Sequence, residues 1–262
     1  MSRARKAASP TPGPGPARAA LPRTAKKSTA PAERATGRRD AEATRRRILE
    51  AATAEFAAHG FAGARVDRIS RAAQSYDRML YYHFGDKAVL FGLVLDEAYA
   101  RLWEAEKALD LEQAEPEAGL RALVAFTWGY FVEHPEFVRL LNSENLQEGR
   151  NLRKSFAIGR RSSPFIAILT GLLRRGEAAG TFRSGVDPVH LYLTIASLAY
   201  FYVSNRHTLS HFLARPLMSP AERRRWLAHI TEVVLASLRP PAEGAPRKAA
   251  RRAVDKGRGK PA

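Results

Sequence analysis

Within residues 44–95 the apolar pattern stops and restarts at helical spacing, so the stretch reads as three short helices and the start of a fourth. Ile48, Leu49, Ala52 and Phe56 form one stripe, and Gly60 stands where a left-handed residue ends a helix, so the first helix is expected to stop at His59. Phe61 then falls where a residue packs back on Phe56 in a Schellman termination. A second helix puts Val66, Ile69 and Ala73 on one side and Arg65, Arg68 and Arg71 on others. After a break at Gln74, Ser75 and Tyr76, a third begins near Asp77 and presents Arg78, Tyr81 and Tyr82 around an apolar seam of Met79, Leu80 and Phe84. Two short helices across a tight turn make a helix-turn-helix unit, whose second helix enters the DNA major groove with its N-terminal residues at the base edges.

At these residues the chain resembles the tetracycline-repressor (TetR) family of bacterial one-component regulators. The matching words are Arg-Ile-Leu-x-Ala-Ala at residues 47–52, Phe56 with His59-Gly60-Phe61, Val66-Asp67-x-Ile69, and above all Leu80-Tyr81-Tyr82-His83-Phe84-Gly85-Asp86-Lys87. One departure lies in the turn, where the family has Gly-Val-Ser and this chain has Gln74-Ser75-Tyr76. A left-handed residue other than glycine costs roughly 1 kcal/mol, so a reshaped turn is expected. The resemblance implies a homodimer bound to a palindromic double-stranded operator and released by a small molecule. Arg78 is the expected base contact with Tyr76 beside it. Tyr81, Tyr82, His83 and Lys87 are placed for phosphates or for packing, and Arg45, Arg65, Arg68 and Ser75 complete the expected DNA-facing set.

Charge is unevenly spread over the 262 residues. Residues 1–41 carry ten Lys or Arg against two acids and residues 240–262 carry seven against two, so most of the net +17 sits in the two ends. Both ends are rich in Ala, Pro and Gly and nearly free of large apolar residues, so they are expected to be disordered basic tails. Such arms can tether to phosphate without reading sequence, the alternative being solvated tails. A helix-turn-helix domain at 42–102 and a larger helical domain at 103–239 fill the remainder. No signal-peptide core or run of eighteen apolar residues occurs, which points away from the membrane and towards a bacterial cytoplasm, in association with the nucleoid. The chain has no cysteine, which removes disulfides and the usual zinc sites, and neither a cofactor nor a metal is expected.

In the larger domain Ser163-Pro164, Asp187-Pro188 and Ser219-Pro220 each pair a capping side chain with proline at the first helical position, and Ser219 with Glu222 spells a capping box. Further helices are expected over 117–133 and 136–146, and the class is all-α. The helix expected over 188–210 is apolar on nearly every side, so it needs a partner beyond its own core. The one over 222–238 carries a single stripe. The family resemblance pairs these two with their copies in a second subunit, with Leu198, Tyr202, Trp226, Ile230, Val234 and Leu238 as the expected interface.

Pockets combine apolar walls with a few polar groups, so the candidate ligand contacts are the polar and aromatic residues within this apolar set. They are Trp128, Tyr130, Asn142, Glu144, Asn145, Tyr200, Asn205, Arg206 and His207. With Arg160 and Arg161, Arg206 suits an anionic effector. This half resembles regulators of aromatic and heteroaromatic acid catabolism, which implies an aromatic anion. Two other classes compete with a ligand-responsive regulator. An architectural DNA-binding protein would rest on the basic tails alone. An all-helical enzyme would need a phosphate loop, a Gly-x-Ser-x-Gly elbow or a His-Glu-x-x-His motif, and the sequence contains none.

Overall fold

Proline and short polar side chains set most of the helix starts. Asp86, Glu115, Asp187 and Ser219 each accept a hydrogen bond from the backbone N–H two or three residues on, and Pro116, Pro188 and Pro220 occupy first-turn positions where no backbone donor is needed. In the computed structural model, which describes residues 31–154 and 164–241, every regular element is a helix. In order these are α1 (Pro31–Gly63), α2 (Val66–Ala72), α3 (Asp77–Phe84), α4 (Lys87–Lys107), α5 (Pro116–Glu133), α6 (Pro135–Leu146), a single 3-10 turn (Leu152–Lys154), α7 (Pro164–Ala178), α8 (Pro188–Ser204), α9 (Arg206–Phe212) and α10 (Pro220–Leu238). Residues 31–41, placed by composition in the N-terminal tail, are helical; the rest of that tail, residues 242–262, and Arg160, Arg161 and Ser163 lie outside the described residues.

Two apolar cores share α4. The first gathers Ile48, Ala52 and Phe56 of α1, Ile69 of α2, Leu80 and Phe84 of α3, and Leu90, Phe91, Val94 and Leu95 of α4. The second is built around α5, which packs against α6, α7, α8 and α10. Gly60 is non-helical at φ 66°, as its place after His59 requires, and Phe61 folds back with its ring centroid 6.3 Å from that of Phe56. In the turn Gln74 takes the left-handed conformation, φ 49°, that glycine takes without strain.

Two details differ from the sequence reading. The long apolar helix ends at Ser204 instead of running on to 210. The Arg206 guanidinium donates to the Val203 carbonyl, which a continuing helix would have used, and Asn205 Nδ2 adds a second bond to the Phe201 carbonyl that its own backbone N–H already uses. The capping box at Ser219 is half made. Its hydroxyl accepts from Glu222 N at 3.3 Å, but the Glu222 carboxylate turns to Arg215 and Arg225 instead of reaching back. α4 stops at Lys107, ahead of left-handed Asp110.

Candidate nucleic-acid interface and body cavity

The head presents α3 outward because its inner face is spent on the core. Leu80 and Phe84 are buried, while Tyr76 (74 % exposed), Arg78, Tyr81 and Tyr82 (79 %) face solvent. Four large side chains with little reason to be bare on a monomer therefore stand together, and the Arg78 guanidinium rests 5.8 Å from the Tyr76 ring. Asp86 caps α4 directly behind them.

The other expected DNA contacts are committed, to differing degrees, to the head itself. Arg68 pairs with Glu55 at 2.6 Å and donates to the Gly63 carbonyl, so it braces α2 against α1. Burial alone would raise Glu55, but the Arg68 hydrogen bond and the Arg65 N–H hold its carboxyl below the ordinary range, which keeps that brace charged. Arg65 pairs with Asp67 at 3.0 Å and is exposed. Arg45 lies over the Phe84 ring at 5.3 Å and Lys87 over Phe61 at 5.0 Å; burial lowers the Lys87 ammonium, partly opposed by Glu55. Half-buried Ser75 anchors the turn through its backbone N–H to Ser70 O. His83 sits between Tyr82 and Phe84, its Nε2 buried without a partner among the described residues.

Head and body meet at α6. The Phe61 N–H donates to Ser143 Oγ at 2.7 Å, and Leu140 of α6 and Leu152 of the 3-10 turn pack on the head core. Sequence reasoning missed this joint, since its partners lie 82 positions apart.

The nine ligand candidates do not converge. Asn142, Tyr200 and Ser204 form a closed network between α6 and α8, with the Tyr200 hydroxyl donating to Asn142 Oδ1 and Asn142 Nδ2 to Ser204 Oγ at 3.0 Å. Glu144 is buried, but its carboxylate accepts from the N–H groups of Asn151 and Leu152 and from Asn151 Nδ2, each at 2.8 Å. It therefore secures the loop after α6, and Asn145 beside it is exposed. Trp128 packs edge-on against Tyr202, and Tyr130 packs at a tilt against His134 and edge-on against Phe137. Asn205 caps α8, while Arg206 and His207 line an outer groove of about 510 Å³ with Val132, Val203 and Met218.

Tyr130 lines a cavity of about 170 Å³ with Val94, Ala98, His134 and Phe137, and Glu106 of α4, which sequence reasoning missed, faces a smaller one. Glu106 is 3 % exposed, the Phe165 N–H at the start of α7 hydrogen-bonds its carboxyl, and its Oε2 has no partner among the described residues. The cavity beside it measures about 20 Å³, room for one water molecule, between Leu102, Phe126, Thr127, Phe131, Phe165 and Tyr192. Burial pushes the Glu106 carboxyl up to about 7, partly opposed by the Phe165 N–H.

Four of the six expected interface residues are turned inward. Ile230, Val234, Leu238 and Tyr202 are buried in the body's own core, and Trp226 stacks on Tyr202 with its indole N–H on the Leu198 carbonyl at 3.2 Å. A helical stripe looks the same whether its own chain or a second one covers it. On α8, at the end of α9 and on α10 the apolar side chains left open are Val189, Leu193, Phe201, Phe212, Leu213 and Val233.

A family model of bacterial regulatory proteins of the tetR family matches residues 48–94, and one of the tetracyclin repressor-like C-terminal domain matches 116–234. Over 199 residues the chain is 47 % identical to the HTH-type transcriptional repressor NicS of Pseudomonas putida, covering 76 % of this chain and 94 % of that one. The chain belongs to the tetR family. It is thus a DNA-binding transcriptional regulator of an all-α, two-domain kind. It is also 40 % identical over 113 residues to the HTH-type transcriptional repressor SCO4008 of Streptomyces coelicolor, 42 % of this chain and 54 % of the relative. The crystal structure of SCO4942 from Streptomyces coelicolor superimposes with a TM-score of 0.55 at 26 % identity, over 76 % of this chain and 99 % of the other. TetR-family proteins are regulators rather than enzymes, and they bind DNA operators as dimers. No helix among the described residues is long and apolar enough to cross a membrane.

Proposed function

We propose that this regulator represses transcription as a dimer on a palindromic operator, and that a small molecule bound in the body releases it. The observation that carries DNA reading is the open row of Tyr76, Arg78, Tyr81 and Tyr82 on a recognition helix whose opposite face is fully packed. Arg78 presents a planar fork of donors at the N-terminal end of α3, where a guanine edge can take two of them. Lys87 and the tyrosines add phosphate contacts that set orientation but carry no sequence. A second copy covers the apolar face of Leu193, Phe201 and Val233, since reading two half-sites calls for a two-fold partner.

Release is assigned to the cavity at Glu106. One helix, α4, carries Leu90 and Val94 in the head core and Leu102 and Glu106 at the cavity wall, so a molecule that parts this wall acts on the same rigid element that seats the head. A ligand shifts the operator-bound state only by binding another arrangement more tightly, and a cavity of one-water size supplies that difference, because a larger guest fits only the opened body. Both NicS and SCO4008 are called repressors, which supports the sign. The basic ends are assigned a tethering role, in affinity and not in sequence preference.

Footprinting on the DNA flanking the chain's own gene tests this reading. A protected palindrome that reopens on adding a metabolite extract supports it. Diffuse coverage at all sequences would instead mark an architectural protein.

A further inference from the structure

The groove at the far end of α8 holds a guanidinium that no acid pairs with among the described residues. It measures about 510 Å³, inside the roughly 300–1,000 Å³ usual for small-molecule sites, and Val132, Pro135, Val203, Pro216 and Met218 make its walls apolar. Half-buried Arg206 lines it and spends one N–H on the Val203 carbonyl at 2.9 Å, which leaves the rest of a five-donor fork open. Burial lowers this guanidinium from its ordinary value and the charge of Arg139 on α6 lowers it further, so its surroundings oppose the positive charge. An anion seated beside it offsets both effects.

The polar groups around Arg206 are donors. Ser210 and Ser219 line the groove, and their hydroxyl oxygens accept from the N–H groups of Leu217 and Glu222, each at 3.3 Å. Neither hydroxyl proton has an acceptor among the described residues, so both are free to be given to a guest. No Asp or Glu lines the groove among the described residues. Of the acids beside its rim, Glu136 pairs with His134, Glu222 pairs with Arg215 and Arg225, and Glu133 lines a different depression with Arg223 and Arg224. Residues 155–163, which lie outside the description, contain two arginines and no acid.

We propose that this groove is a second small-molecule site, separate from the Glu106 cavity, and that it takes an organic carboxylate whose charged end pairs with Arg206 and the two serine hydroxyls while an apolar body covers Val132, Val203 and Met218. A guanidinium fork matches a carboxylate with two parallel hydrogen bonds, and the apolar walls supply affinity that a bare ion cannot use. No residue of the groove lines the Glu106 cavity, so this site stands or falls apart from the release assigned there.

Three probes of one shape isolate the charge: cyclohexanecarboxylate, cyclohexanecarboxamide and cyclohexylammonium, titrated into the full chain by calorimetry at one ionic strength. The carboxylate is expected to bind about tenfold more tightly than the carboxamide, as for hydrogen bonds to a charged group, and the ammonium is expected not to bind. Inorganic phosphate, which leaves the walls uncovered, is expected to bind more weakly than the carboxylate. Arg206→Gln is expected to erase the gap between carboxylate and carboxamide, and Arg206→Lys, which keeps the charge without the fork, to retain part of it. Melting curves establish that both variants fold, and the wild-type ranking decides the matter whatever they do. A carboxylate that fails to bind the wild type at millimolar concentration, or binds no better than the carboxamide, overturns the proposal. So does phosphate of equal affinity, which would make the groove a bare ion site. Carboxylate binding that survives Arg206→Gln unchanged but collapses in Glu106→Gln would place the anion in the inner cavity and overturn the groove assignment.

Discussion

The backbone N–H of Phe61, in the head, donates to Oγ of Ser143, in the body, at 2.7 Å. The contact depends on Gly60, whose φ of 66° turns the chain so that the Phe61 N–H faces α6. A Cβ at Gly60 would stand 3.4 Å from that same hydroxyl. Backbone shape and a single side-chain oxygen therefore fix the seat of the head together.

Ser143→Ala is expected to lower the unfolding free energy by about 1 kcal/mol, the ordinary net worth of a partly buried hydrogen bond. Gly60→Ala is expected to cost a similar or larger amount, roughly 1–2 kcal/mol, because the left-handed strain comes on top. Denaturant melts of the two single variants and the double variant check this. The double variant should lose less than the two losses added, since both act on one contact.

Glu106 gives the protein a pH dependence of known sign. Its carboxyl moves from an ordinary 4.5 to about 7 on folding, so the native state holds a proton that the unfolded chain releases between those values. The stability tied to that proton is fully present below about 4.5 and is lost as pH rises through about 7, up to about 3 kcal/mol in all at 1.36 kcal/mol per unit. The two tyrosines that feel its charge do not titrate in this window, because burial raises Tyr130 to about 12 and Tyr192 also above its ordinary value. Relative to Glu106→Gln, the wild type should therefore melt progressively lower from pH 5 to pH 8. A parallel pair of curves would assign the carboxyl an ordinary pKa.

Assembly separates the outward residues from the inward ones. Phe201 is 59 % exposed and Val234 is fully buried. Phe201→Glu is expected to yield a folded monomer in sedimentation that binds operator poorly, because a charge on a dry interface goes unpaired. Val234→Glu is expected to lose the cooperative fold altogether, by several kcal/mol, because it buries a charge in the subunit's own core. A stable dimer from Phe201→Glu would move the interface off this face.

Local signals carried much of this fold. Gly60, Asp187-Pro188 and the seam of Leu80 and Phe84 act within one or two turns of chain, so residue type alone dictated a bend, a helix start and an inward face. Periodicity could not tell Ile230 and Val234, which meet their own core, from residues that meet a second copy, since both make one stripe. Nor could it register the Arg206 guanidinium taking the Val203 carbonyl at the end of α8, a local competition of a side chain inside an otherwise apolar run. Asn142 and Glu144 looked like ligand groups because they are polar amid apolar sequence. Their partners, Tyr200 and Asn151, become visible only once the chain has folded. Glu106 was missed for the same reason: nothing in its neighbours in sequence indicates that the start of α7 will close over it.

The recognition helix can be tested most directly by one titration. Fluorescence anisotropy of wild type and Arg78→Ala against the footprinted palindrome, against that palindrome with a single G·C pair changed in each half-site, and against scrambled DNA separates base reading from phosphate contact. Arg78→Ala is expected to lose about 1–3 kcal/mol on the palindrome, to lose almost nothing on scrambled DNA, and no longer to distinguish the changed pair. If Arg78→Ala instead binds all three DNAs with the wild-type affinities and the wild-type preference, α3 does not read the operator through Arg78, and the central assignment is wrong.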